Sequence, residues 1–315
     1  MSFTISGGVQ IAGGSIVISP GGSPTPSGGG FQGSNYGYSS GGVVYPPGVT
    51  NTIEKFTFSS DGNATDVGDL TVGRDYVSGQ SSSVSGYVTG GAPPTNVIQK
   101  FPFASDGNAT DVGDMTVSRG SATGQSSSES GYISGGRGDN SEDVIEKFPF
   151  ASDGNATDVG DLTQIRYTPA GQSSNSSGYT SGGINGPRLN TIDKFPFSSD
   201  ANATDVGDLT VAKESEAGQS STTSGYTSGG SPPALTTIEK FPFASDSNAI
   251  DVGDLSVGRY GMGGQSSTQS GYTSGGYDGS NFVNTIDKFP FASDGNATDV
   301  GDLTQTTWYG AGQQY

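Results

Sequence analysis

The chain contains no cysteine and no histidine in its 315 residues. Without cysteine, no disulfide staples the fold and no thiolate holds a metal. Without histidine, the commonest general base and the commonest zinc ligand are both missing. Zinc hydrolysis, Ser-His-Asp catalysis and copper-radical chemistry on histidine ligands are thereby excluded. Basic residues are also scarce, 13 against 31 acidic ones. The resulting net charge of −18 opposes binding to nucleic acid phosphates and insertion at anionic membranes. No apolar run approaches the roughly 20 residues of a membrane span. No secretory signal is visible at the N-terminus, so the expectation is a soluble chain made in a cytoplasm, whether or not it acts there. Hydrophobic residues reach only 30%, their place taken largely by 54 glycines and by serine and threonine. Yet 14 tyrosines and 15 phenylalanines recur at regular places. That regularity argues against disorder and for many short strands with glycine-rich turns.

Internal repetition is the strongest signal present. The glycine of a "GQ" pair stands at Gly79, Gly124, Gly171, Gly218, Gly264 and Gly312, at spacings of 45 to 48 residues. A glycine doublet follows a tyrosine at Gly41-Gly42, Gly90-Gly91, Gly135-Gly136, Gly182-Gly183, Gly229-Gly230 and Gly275-Gly276. After each doublet comes an acidic phrase, "ASDGNATDVGDLT" from Ala151 to Thr163 or a near-copy. Each unit reads as four short strands. Between Ala170 and Thr210 these are "AGQSSN", "SGYTSGG", "NTIDKFPF" and "TDVGDLT". Helical periodicity is absent. A unit this small cannot bury its own faces, so copies must pack on one another, and the period and strand count suit a β-propeller blade. The chain begins its first copy with a second strand, "SNYGYSSGG", and stops at "YGAGQQY", a first strand. One blade is therefore expected to be stitched from both ends, closing six blades and removing two exposed sheet edges. The expected fold is all-β: a six-bladed propeller over residues 34–315, preceded by a linker at 20–33 and a β anchor at 1–19.

The doublet after "GY", the "NTIEK" or "NTIDK" segment, the turn "SDGNAT" and the "DLTVGR" segment resemble a kelch repeat over about residues 34–315. Such a unit usually has tryptophan in its fourth strand, where this chain has Val67, Val112, Val159, Val206, Val252 and Val300. The resemblance implies a propeller used for binding and names no partner. Residues 1–19 read as three short alternating strands, Phe3/Ile5, Val9/Ile11 and Ile16/Ile18, separated by Gly7-Gly8 and Gly13-Gly14. Too short to bury those side chains alone, they are expected to pair with other chains, copies of this one or a host structure. The run "PGGSPTPSGGG" then reads as a linker. The "FTISGG" segment is similar to N-terminal attachment regions of virion proteins in tailed phages of marine cyanobacteria.

The acidic phrase has two readings. Asp153, Asn155, Thr157 and Asp161 present oxygens at positions 1, 3, 5 and 9, a ladder like that of calcium loops in hairpins. Against a metal, the fifth copy has Ile250 at position 5, and the glycine at position 2 becomes Ala201 or Ser247. The architectural reading needs only that Asp and Asn favour tight turns, and it is preferred, with no cofactor beyond weak Ca2+. A basic residue precedes "GQ" by five places at Arg74, Arg119, Arg166, Lys213 and Arg259, whereas Thr307 breaks the series. These cations are expected to pair with a neighbouring carboxylate or blade carbonyl; the alternative is a ring of cations around the pore mouth, suited to acidic glycans. "NAT" sequons and Arg137-Gly138-Asp139 are read as incidental.

Two stretches vary freely between copies, one after the glycine doublet and one before "GQ". In an up-and-down blade both connections emerge on the same face, while the near-constant "QSSxxSGY" and "SDGNAT" turns emerge on the other. Diversified loops on a rigid ring are where binding is usually placed. Tyr76, Tyr167, Tyr260, Trp308 and Tyr309 gather there with Tyr45 and Tyr277, suited to stacking on sugars or anchoring a protein contact. The leading expectation is a non-enzymatic virion structural protein, a tail fibre, appendage or capsid decoration. It would dock to other virion proteins through residues 1–33 and meet a host-surface glycan or protein through the variable face. A free lectin-like or protein-binding propeller of a cell is the alternative. A glycan hydrolase with paired carboxylates ranks third, because no unique acid pair stands out in the variable loops.

Overall fold

The third strand of each unit packs both of its faces against neighbouring blades. Ile192 and Phe195 point to opposite faces, and both are buried to 2% exposure or less. The computed structural model describes residues 11–12, 15–16, 32–46, 48–231 and 233–315. Within them the chain forms six four-stranded antiparallel sheets. One blade runs from Ala170–Ser173 at the axis through Ser177–Ser181 and Leu189–Pro196 to the outer strand Thr204–Lys213. The expected closure is present. Ala311–Gln314 is the first strand of the blade whose other strands are Tyr36–Ser40, Thr52–Thr57 and Thr65–Asp69. Gln313 lies opposite Tyr38 across that stitch. Counting this stitched blade as blade 1, blades 2 to 6 follow in chain order.

The core lies between blades. Tyr132, Ile145 and Leu162 of blade 3 form one cluster with Phe195 and Ala203 of blade 4, and Val159 packs against it. At every junction the tyrosine of "GY" stacks on a phenylalanine of the next blade, with centroids 4.7–4.9 Å apart. The "GQ" glutamine amide donates to the carbonyl of the next blade's tyrosine at 2.9–3.2 Å, also six times. A buried amide left without that acceptor would bear its full desolvation cost, so each bond ties two blades together.

Glycine at the axis is a matter of space. A Cβ on Gly218 would lie 2.2 Å from the carbonyl oxygen of Gly171, and the same clash recurs around the ring at 2.1–2.3 Å. The glycine doublets serve a different need. Their first members have φ of 64–68° and their second members 89–122°, a backbone region that side chains disfavour.

Gln32 and Gly33, at the end of the expected linker, already belong to the ring. The Gln32 amide donates to the carbonyls of Ser220 and Ser267 at 3.1 and 3.2 Å, and the Gly33 amide donates to Ser266 at 2.8 Å. These partners sit where first strands end at the constant turns. The chain therefore enters the propeller near the axis, on the face opposite the variable loops. In the N-terminal segment, Ile11–Ala12 pairs antiparallel with Ser15–Ile16. Phe3, Ile5, Val9 and Ile18 of the expected anchor lie outside the described residues.

Gly218→Ala should destabilise the ring by roughly 1–3 kcal/mol, because the neighbouring strand must move to admit the methyl group. Urea unfolding followed by circular dichroism measures it. Deleting residues 311–315 should cost more, since blade 1 then loses its axial strand and a sheet edge opens.

Candidate functional site

The acidic phrase is a clasp between neighbouring blades. Asp153 Oδ1 accepts from Lys100 Nζ of the preceding blade at 2.9 Å. Asn155 Oδ1 accepts from the Asp114 amide at 3.0 Å, and the Ala156 amide donates to the Asp114 carbonyl at 2.8 Å. The ion pair recurs six times at 2.5–3.1 Å. The asparagine bond recurs six times at 3.0–3.1 Å. Five of these asparagines are the sequon residues. The next aspartate, Asp158, accepts from the Gly160 amide two residues on. Position 5 faces solvent: Thr157 is exposed, and its counterpart Ile250 is 59% exposed. The calcium ladder thus sends Asp153 and Asn155 to the preceding blade, while the Asp161 amide is itself held by Asn202. Among the described residues no group of three or more acidic side chains could hold a metal ion.

Arg119, Arg166 and Arg259 do not ring the pore mouth. Each is fully buried and pairs with an acid of the next blade's third strand: Glu146 at 2.9 Å, Asp193 at 2.9 Å and Asp287 at 3.2 Å. Lys213 and Glu239 form the equivalent pair. The acid of "NTIDK" is buried on the face opposite its neighbouring isoleucine, and the cation arrives from the variable connection to meet it. Two of the six junctions depart from this. At Arg74 the facing residue is Gln99, whose oxygen accepts from Thr71, so no carboxylate lies within ion-pair distance of Arg74 among the described residues. At Glu54 the facing residue is Thr307. Burial raises the Glu54 carboxyl pKa, and its hydrogen bonds from Thr304 at 2.5 Å only partly offset this. Both departures flank the stitched blade.

On the variable face, each connection before "GQ" bridges the next connection after a glycine doublet, at Tyr167 and Ile184 or Tyr260 and Tyr277 for example. The two sets of loops therefore share one surface. Around the axis, Tyr76, Ser121, Thr168, Ser215, Gly261 and Tyr309 close a circle of backbone hydrogen bonds, each amide donating to the preceding carbonyl at 2.7–2.9 Å. The five non-glycine members have φ of 53–59°, a strained conformation held by the circle. Tyr76 and Tyr309 stack at 3.9 Å, and the Tyr309 hydroxyl is 3.0 Å from Ser215 Oγ. Burial raises the Tyr309 phenol pKa, with Tyr76 adding to the effect.

From Tyr309 the aromatic run continues outward. Trp308 is 4.4 Å from Tyr309, stacks on Phe282 at 5.4 Å and lies 5.6 Å from Tyr277 and 5.9 Å from Tyr260. Tyr45, 76% exposed, forms the far wall of a groove of about 760 Å3 between the loops of blades 6 and 1. Of the sequence candidates, Tyr76, Tyr260, Trp308 and Tyr309 are brought together. Tyr167 stands apart beneath Arg137, at 5.2 Å. Phe282 was missed, because only tyrosine and tryptophan were weighed on this face. The signal was available in "YDGSNFV", an apolar ring in a variable loop.

Beside the channel mouth, Glu216 stands where the other units have Val77, Ala122, Pro169, Met262 and Gly310. Its side chain is 5% exposed and neither carboxylate oxygen has a hydrogen-bond partner among the described residues. Burial pushes its pKa up to about 8, with Lys213 pulling the other way.

No family model matches the chain, and no curated protein matches it significantly.

Glu146→Gln should cost roughly 3–5 kcal/mol by leaving Arg119 buried and unpaired. Gln99→Glu should instead stabilise the fold, by about 1–2 kcal/mol, through the carboxylate Arg74 lacks. Denaturant titration of both variants reads the two signs. For Glu216, the folded carboxyl stays protonated while the unfolded one ionises, so stability falls as pH rises from about 4.5 to about 8. Glu216→Gln should remove that slope, making the variant the more stable protein at pH 8 and leaving the two alike near pH 4. Thermal melts across this window check it.

Proposed function

We propose that this protein is a non-enzymatic structural component of a phage virion, carrying a kelch-like propeller as a host-attachment module. The observation that carries the reading is the opposition of its two ends. The N-terminal segment joins near the axis of the constant-turn face, and the varied loops with their aromatic groove occupy the other face. A tether on one side and a recognition surface on the other is the geometry a display module needs. The close-packed glycines at the axis and the clasps make the platform rigid, so that the loops can differ without disturbing it. Binding is favoured over catalysis because Tyr45, Tyr277, Ser280, Asn281, Phe282, Thr306 and Trp308 line the groove. None of these is a carboxylate or an amine that could serve as acid and base near neutral pH. The "FTISGG" similarity to attachment regions of marine cyanophage virion proteins supplies the assembly context.

Immunogold labelling of purified tailed-phage particles from an infected cyanobacterial culture tests the reading, with antibody raised against residues 34–315. Label on the particles is expected, together with its loss when residues 1–31 are deleted from the full chain. Recovery of the full chain only as free protein, with unlabelled particles, would overturn it.

A further inference from the structure

The six units share one scaffold, so a place where several positions leave the pattern together marks a demand the scaffold does not make. That place is the junction of blades 6 and 1. Thr307 stands where the other units have a cation. Trp308 stands where they have Asp75, Gly120, Tyr167, Glu214 and Tyr260, and it is the chain's single tryptophan. The blade 6 loop contributes Phe282, whose ring stacks on Trp308.

We infer that this groove holds a neutral pyranose unit of a glycan chain, a proposal that rests on the binding role given above to the variable face. Its walls combine broad aromatic faces with the hydroxyls of Ser280 and Thr306 and the amide of Asn281. A wholly apolar occupant would cover these polar groups without satisfying them. A charged occupant would shed water and find no opposite charge in the lining, and an acidic one would also meet the field of a −18 protein. A pyranose has one face of C–H groups to lie on an aromatic ring and a rim of hydroxyls to meet the polar groups.

The groove's volume of about 760 Å3 falls in the range typical of small-molecule sites. Its walls are also held in advance. Asp278 Oδ1 accepts from the amides of Ser280 and Asn281, both at 2.7 Å, and the backbones of Trp308 and Val43 exchange hydrogen bonds at 2.7 and 3.0 Å. Preformed walls reduce the ordering cost of a ligand.

Because Trp308 is the lone tryptophan, its fluorescence reports on this groove in the full chain. Titration with neutral gluco-, galacto-, manno- and xylo-oligosaccharides should give a saturable change for at least one of them. Phe282→Ala and Tyr45→Ala, which keep Trp308, should each weaken that binding by about tenfold, with Phe282→Tyr retaining most of it. Unchanged melting curves would show that these loop variants fold. No saturable response to any neutral oligosaccharide overturns the inference. So does a response confined to uronate-containing oligosaccharides or to a proline-rich peptide. Particle labelling depends on residues 1–31 and should be the same for the groove variants. A failed titration therefore leaves the display reading standing, and unlabelled particles leave the glycan result standing.

Discussion

Where two blades meet, a tyrosine of one lies on a phenylalanine of the next, and a glutamine amide reaches the neighbouring tyrosine carbonyl. At the axis the first strands approach so closely that only glycine fits between them. Every blade depends on these seams, since its four short strands enclose too little apolar surface to be stable alone. The hydrophobic clusters reflect this by drawing members from two consecutive blades. A ring built this way has no free sheet edge at its seam provided the last strand joins the first blade, which is what Ala311–Gln314 does.

The same dependence explains how the charge is used. Six lysines of the third strands meet the turn aspartates of the following blade, and four further cations are buried opposite acids. Arg188 pairs with Glu214 and Arg137 covers Tyr167, leaving Arg74 without an acid. Thus most of the 13 basic residues hold the scaffold together, and the excess acidity is left at the surface. The exposed clasps contribute little individually. Their value lies in setting the angle between blades, with the asparagine bond fixing what the ion pair alone would leave loose.

Variation is tolerated only where this repetition relaxes. Both junctions that lack a complete buried pair border the blade made from the two chain ends, and one of them carries the aromatic groove. Thr307 brings no cation to the buried Glu54, and beside it Trp308 stacks on Phe282. The channel mouth shows the opposite case. There a strained circle of backbone bonds leaves side chains of any size at its corners, from Gly261 to Tyr309.

Much of the architecture was legible in the sequence, because a unit repeated six times exposes its own rules. The strand count and the stitched blade followed from spacing and from which strand was missing at each end. The cation series at Arg119, Arg166 and Arg259 was equally visible, and so was its need of a carboxylate, but which acid each would meet was not. Whether an arginine turns toward a pore or into a seam depends on the acid of a neighbouring blade, some 27 residues away in sequence. Likewise Ile250 already spoke on paper against a metal in the oxygen ladder of Asp153 to Asp161, but only the adjacent blade's Lys100 and Asp114 show what it holds. Local periodicity and turn chemistry act within one unit, so the sequence determined the blade and the ring. The partners across each seam, and the meeting of Tyr45, Phe282 and Trp308 in one groove, depend on closure of the ring, which only the tertiary structure decided.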